Sequence, residues 1–142
     1  MKPAYVVGAA MTPYGDLAPR DTLDLMCEAA AAALADCGRG HEEVDGLLVG
    51  YSTTFRHLML STVFAERFGL SPHLAHGMQL GGATGLSMVA TARHLVAAGA
   101  ARTVLVVGGE NRRTGASVES TIDTLAQVGD PVLDGLLEID AV

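Results

Sequence analysis

Tryptophan is absent from this chain, and aromatic residues make up only 4% of its 142 residues. A core must therefore be assembled from Ala, Val, Leu and Met, which demands close packing of small side chains. Cysteine is nearly absent too: Cys27 and Cys37 are the whole complement. Both fall within one predicted helix, ten positions apart. At ~1.5 Å rise per residue their Cα atoms lie about 15 Å apart, which excludes a bridge between them. Both read as structural, and a reduced, cytoplasmic setting is the expectation. Charged residues are few, at 18%, and the net charge is −7. That balance argues against nucleic acid or an anionic membrane as partner, though a local anion site remains open. No apolar run reaches the ~20 residues of a membrane span. The opening residues Met1-Lys2-Pro3-Ala4-Tyr5 lead straight into a predicted strand, so no signal peptide is expected.

What is present is apolar and small. Hydrophobic residues reach 49%, so disorder is not expected, and one domain with a real core fits the length. Seventeen glycines allow many tight turns and close backbone approaches.

Strand and helix patterns alternate. Ala4 to Ala10 (AYVVGAA) reads as a buried strand, followed by a loop with Pro13, Gly15 and Pro19. Asp21 is placed to cap a helix of about sixteen residues, with Leu23, Met26, Cys27, Ala30 and Leu34 on one face and Gly38 just past its end. Val44 to Tyr51 is the second strand. His57 to Phe68 is the second helix, ended by Gly69. His73 to Leu80 is a short third strand, Thr84 to Ala98 a third helix stopped by Gly99, and Thr103 to Gly108 a fourth strand. The last is almost uniformly β-branched and apolar, as strands covered on both faces are. This order implies an α/β fold, with a mixed, mainly parallel sheet and helices on both faces. Ser117 to Val128 reads as a further helix. Asp130 to Val142 shows no clear register.

The third helix carries strong polarity only at Arg93 and His94. A surface helix shows a polar face. This one should be buried on most sides, yet four strands make a single sheet, so the second covering layer must come from elsewhere.

The turn that opens this helix, Gly81-Gly82-Ala83-Thr84-Gly85, is the candidate ligand site. A glycine turn at a helix start offers free N–H groups at the positive end of the helix dipole. It can hold an oxyanion or a phosphate, or line only a close helix contact. It matches neither GxGxxG nor GxxxxGK[ST], so a dinucleotide or P-loop site is not indicated. His57, His73, His76 and His94 are the candidate ligands, but His73 and His76 flank a strand without a carboxylate or Cys at metal spacing, so no metal site is expected; His41, beside Glu42 and Glu43, reads as a solvated residue. Arg112 and Arg113 read as a solvated pair, with contact to a ligand phosphate as the alternative. Glu110 and Asn111 end the fourth strand and are expected to fix backbone.

VVGAAMTPYG, VDGLLVG, QLGGATG and VLVVGGEN, in this order and spacing, resemble the N-terminal half of a thiolase-superfamily protein, nearest to the sterol-carrier-protein-related thiolases and lipid-transfer aldolases. The resemblance covers about residues 1 to 130. It implies a thiolase-like half domain over 1-115, with 116-142 as the start of a loop domain or a truncated tail. It implies five α-β-α-β-α layers when two halves pair, the apolar helix forming the central one. It implies an acyl-coenzyme A thioester as substrate, no permanently bound cofactor, and acyltransferase-type or retro-aldol carbon–carbon bond chemistry. It implies a homo-oligomer, or a partner supplying a C-terminal half or an OB-fold. The family's nucleophilic cysteine matches Gly82, so no catalytic residue is assigned; Gly81, Gly82, Ala83, Thr84 and Gly85 are the expected substrate-binding residues. Covalent thiolase chemistry needs a thiolate that Gly82 cannot supply. The isolated half is therefore expected to be inactive. The alternative is a non-catalytic binding or scaffold subunit.

Overall fold

Three parallel strands form the sheet at the centre of the computed structural model, which describes residues 2–129. The first helix, α1 (Thr22–Cys37), starts where the sequence says it should. The Asp21 carboxylate accepts from Asp24 N–H at 2.7 Å, and the Asp24 carboxylate accepts from Asp21 N–H, which together satisfy two otherwise orphaned donors. Gly38 ends the helix at φ 66°, a left-handed conformation that favours glycine. Strand β1 (Gly46–Gly50) follows and is buried at every position. Helix α2 (Leu60–Phe68), strand β2 (Leu74–Met78), helix α3 (Thr84–Ala98) and strand β3 (Val104–Val107) complete the alternating order. A short helix α4 (Arg112–Gly115) and an eight-residue helix α5 (Val118–Leu125) come last. The helix expected from Ser117 to Val128 is therefore present, with a 3₁₀ turn at Ala126–Val128. The expectation of no register over Asp130 to Val142 lies outside the described residues.

The strand order is β2-β1-β3, with Gly46 opposite Leu74 on one side and Val104 on the other. The core lies between this sheet, α1 and α2. It is built from Leu23, Met26, Ala30 and Leu34, with Leu47 and Val49, and with Phe64 and Phe68. Cys27 is half-buried against it, as the face expected of α1 requires.

Two expectations need correction. Ala4 to Ala10 is not a strand: it forms no sheet hydrogen bond and leaves Tyr5, Val6 and Val7 exposed. The run lies against α1 instead. Ala9 N–H donates to the Asp36 carboxylate at 3.1 Å, and a Cβ on Gly8 would meet Ala33 O at 2.4 Å. Strand status needs a partner backbone about 4.8 Å away, and apolar β-branched composition cannot provide one. The second correction concerns α3. It packs on the sheet through Thr84 and Met88, but its outer side is open, with Leu86 82% and Val89 50% exposed. It is covered on one side rather than on most sides. The covering layer that its composition demands is not among the described residues.

The N-terminal ends of the strands are tied by one carboxylate. Asp45 accepts from Thr103 N–H at 2.8 Å and from Arg102 N–H at 2.9 Å, and its guanidinium partner Arg102 lies at 3.4 Å. Its own carbonyl accepts from His73 N–H at 3.0 Å. Burial pushes the Asp45 carboxyl up, but the amides of Thr103 and Arg102 and the guanidinium outweigh it and hold the group below its ordinary range.

Candidate functional site at the head of helix α3

In parallel α/β sheets, ligands bind beyond the carboxyl ends of the strands. Here those ends converge on Gly50, Met78 and Val107. A Cβ on Gly50 would lie 3.2 Å from Met88 Cε, 3.5 Å from Thr84 Cγ2 and 3.7 Å from Gly108 Cα. The absence of side chains at Gly50 and Gly108 thus lets the head of α3 settle directly onto β1 and β3.

The turn itself is a 3₁₀ segment, Gly81–Ala83, leading into α3. Gly81 has φ 57° and therefore favours glycine on conformational grounds. Gly82 and Gly85 do not: their φ values are not in the left-handed region, and a Cβ at either meets nothing within 4 Å. Thr84 holds the turn together. Its hydroxyl donates to Gly81 O at 2.7 Å and accepts from Leu80 N–H at 2.9 Å. Ala83 N–H donates to Leu80 O at 3.2 Å. Gly81, Gly82, Ala83 and Gly85 are exposed, and Thr84 is buried. All five expected residues thus occupy one turn at the head of α3, within which the Ala83 and Thr84 amides already donate to Leu80 O and Gly81 O.

The carboxyl end of the sheet also carries a polar network around Glu110 and Asn111, whose partners the sequence reading did not find. Glu110, just past β3, accepts from Thr53 N–H at 2.6 Å and Thr53 Oγ1 at 2.9 Å, and from Thr54 N–H at 3.2 Å and Thr54 Oγ1 at 2.8 Å. Asn111 is buried. It donates through Nδ2 to Arg20 O at 2.7 Å and accepts from Thr114 Oγ1 at 2.6 Å. Both residues fix backbone, as expected. The available signal was the hydroxyl run Ser52-Thr53-Thr54 directly after a buried parallel strand, facing a carboxylate at the end of the next one.

The histidines do not converge. His57 precedes α2 rather than lying inside it, and its Nδ1 accepts from Met59 N–H at 3.1 Å. His41 is exposed but leans on the Phe68 ring at a centroid distance of 4.3 Å. Among the described residues no three His, Cys, Asp or Glu side chains group as a metal site would need. Neither cysteine is near the turn's chemistry by sequence position or element: both belong to α1. Burial pushes the Cys27 thiol above its ordinary value, against the opposing pull of Arg67. Cys37 donates to Ala33 O and Leu34 O at 3.4 Å. Arg112 and Arg113 are exposed on α4 and border a groove of about 400 Å³ with Gly108 and Gly109. No helix among the described residues is long and apolar enough to cross a membrane.

The thiolase N-terminal domain model matches residues 4–141, and this chain belongs to that family. A β-ketoacyl-[acyl-carrier-protein] synthase III from Ruegeria pomeroyi is 33% identical over 90 residues, which is 63% of this chain and 28% of that protein. A structure of a tetronic acid condensing enzyme matches with TM-score 0.56 and 37% identity, covering 61% of this chain and 28% of the other. A monomeric SCP2-thiolase-like protein type 1 from Mycobacterium smegmatis matches with TM-score 0.61 and 25% identity, over 75% of this chain and 23% of the other. The chain spans less than a third of the length of each of these relatives.

Proposed function

We propose that this chain supplies the helix head that receives the thioester carbonyl of an acyl-coenzyme A or acyl-carrier-protein substrate in a thiolase-like protein, and that it does not itself become acylated. The observation that carries this is Gly82. It lies at the exposed start of α3, where backbone amides and the helix dipole favour an oxyanion, and it has no side chain to attack with. The residues proposed to bind the acyl group are Gly81, Gly82, Ala83, Thr84 and Gly85. A carbon–carbon bond step that proceeds without acyl-enzyme, such as retro-aldol cleavage of a β-hydroxyacyl thioester, suits such a site better than thiolysis. Its acid–base groups would come from the polypeptide that the longer relatives carry in addition. Residues 1-115 are proposed as the half domain and 116-142 as the start of a loop domain.

The test is binding and turnover measured separately. A non-hydrolysable acyl-coenzyme A analogue should protect the amide of Gly82 from hydrogen exchange, while acetoacetyl-coenzyme A and free coenzyme A give no thiolysis. Turnover above ~1 s⁻¹ by this chain alone would overturn the proposal. The second reading is a non-catalytic scaffold subunit, favoured by the open apolar side of α3. Absence of any protection by the analogue would select it.

A further inference from the structure

This chain has nine basic side chains against sixteen acidic ones. Four of the nine, Arg20, Arg39, Arg67 and Arg102, each pair with a carboxylate. Of the five left without an ion pair among the described residues, Arg56, Arg112 and Arg113 come together at the carboxyl end of the sheet, and all three are exposed. The loop after β1 gathers them. Thr54 Oγ1 accepts from Asn111 N–H at 3.2 Å, and a Cβ on Gly115 would lie 3.5 Å from Thr54 Cβ, so this loop rests on α4. Arg56 Nε donates to Thr53 O at 3.4 Å, and its guanidinium donates to the Thr124 hydroxyl on α5. Apolar side chains surround these charges. Leu58 and Met59, just before α2, are exposed. So are Val118, Ile122 and Leu125, whose spacing puts them on one stripe of α5. At ~100° per residue, Thr124 lies on one flank of that stripe and Glu119 and Asp123 on the other. On the far side of Arg112 and Arg113, the groove of about 400 Å³ adds the exposed Met11 and Tyr14.

We propose that this surface docks an acidic amphipathic helix of a partner protein, whose apolar face covers the α5 stripe with Leu58 and Met59 and whose carboxylates pair with Arg56, Arg112 and Arg113. The inference rests on charge and exposure and not on acyl-thioester binding. In a chain of net charge −7, three unpaired guanidiniums around one apolar patch are a local reversal of sign, and charge selects the occupant. A second copy would bring the same three arginines, and like charges oppose that contact. An anionic membrane or a nucleic acid is repelled by the chain as a whole and by Glu119 and Asp123 beside the stripe. A free phosphate would pair with a guanidinium but leave Leu58, Met59 and the stripe in water. An acidic helix meets both demands. Its carboxylates suit the planar guanidinium fork, and apolar anchors at i, i+4 and i+7 match the spacing on α5. Its carboxylates should lie on the flank that faces Thr124 and Arg56, away from Glu119 and Asp123.

The experiment uses the whole chain and a fluorescent, capped peptide of about eighteen residues, with leucine at every third or fourth position and glutamate between. Its anisotropy should rise on binding, and the affinity should fall as salt is raised. Arg112→Glu and Arg113→Glu together, and Ile122→Ser alone, should each weaken binding by about tenfold or more. All three positions are exposed, so circular dichroism should not change. Arg93→Glu, at an unpaired arginine on α3, should change the affinity by less than about twofold. If a variant on α4 or α5 fails to fold, the peptide with lysine in place of glutamate puts the same question to the native chain and should not bind. No binding of the glutamate peptide would overturn the proposal, as would binding that Arg93→Glu weakens as much as the α4 changes do. Equal binding of a peptide with serine in place of leucine, or displacement of the glutamate peptide by coenzyme A, would overturn it in favour of a small anion site. A thiol introduced by Ile122→Cys that resists alkylation in the free chain would overturn it too, the stripe then being covered within the chain.

Discussion

The Thr84 hydroxyl donates to the Gly81 carbonyl at 2.7 Å while accepting from the Leu80 amide at 2.9 Å, so one buried side chain closes the turn at the head of α3. Thr84→Val keeps the shape and removes both bonds. It should lower stability by about 1–2 kcal/mol, since the Leu80 N–H loses its acceptor. Thr84→Ser should retain most of the stability. Urea unfolding midpoints test the pair. Equal midpoints for the Val and wild-type chains would show that the hydroxyl does not hold the turn.

Gly81 and Gly82 are neighbours with opposite tolerances. At φ 57°, Gly81→Ala should cost about 1 kcal/mol in left-handed strain. Gly82→Cys should cost little, because a Cβ there meets nothing within 4 Å. The new thiol at the helix start should titrate below the free value of ~8.5. The pH profile of iodoacetamide alkylation measures this, and an unshifted thiol would remove the anion-stabilising role given to this turn.

The helix ends marked by caps were readable from the sequence because caps are local, whereas the uncapped start of α2 fell at Leu60 and not at His57. Asp21 and Asp24 form the box that starts α1, and Gly38, Gly69 and Gly99 each end a helix in the left-handed conformation. The run AYVVGAA was misread because a strand is a relation between two backbones, and β3 and this run are separated by a groove. The turn at Gly81–Gly85 was legible from its glycines and position. The Glu110 network was not, since its partners at Thr53 and Thr54 lie more than fifty residues away.

Glu110 joins the end of β3 to the loop after β1 through four bonds to Thr53 and Thr54. Glu110→Gln cannot accept all of them and should cost about 1–2 kcal/mol. If its role is to fix backbone, the thiol pKa of Gly82→Cys should be the same with and without this change. A shift in that pKa would mark Glu110 as part of the site's electrostatics.

Asp45 makes stability depend on acid. Its carboxyl is held below the ordinary value in the folded chain. Such a group contributes stability that is fully present above the unfolded value of ~3.9 and is lost as pH falls through the lower folded value. Unfolding free energy should therefore fall below about pH 4, and the slope should be shallower in Asp45→Asn. Near pH 7 that variant should be less stable by about 1–2 kcal/mol, because the bonds to the Arg102 and Thr103 amides lose their charge. Parallel acid dependences in the two chains would show that Asp45 is not the titrating clamp.

The open side of α3 should drive assembly. Leu86 and Val89 remain largely in water, on a helix whose only strongly polar side chains are Arg93 and His94. At ~25 cal/mol per Å² and about 100 Å² each, covering one such side chain is worth about 2.5 kcal/mol. That is a large share of a domain stability of ~5–15 kcal/mol, so this face should be shielded by a second molecule. The simplest arrangement is a two-fold dimer, with α3 against its own copy. Sedimentation should show mass rising with concentration in the micromolar range. Leu86→Glu and Val89→Glu should each shift the chain toward monomer with little change in the unfolding midpoint of that monomer, because both positions are exposed within it. A wild-type chain that stays monomeric and binds no hydrophobic dye would mean that the α3 face is covered within the chain, and the dimer would be ruled out.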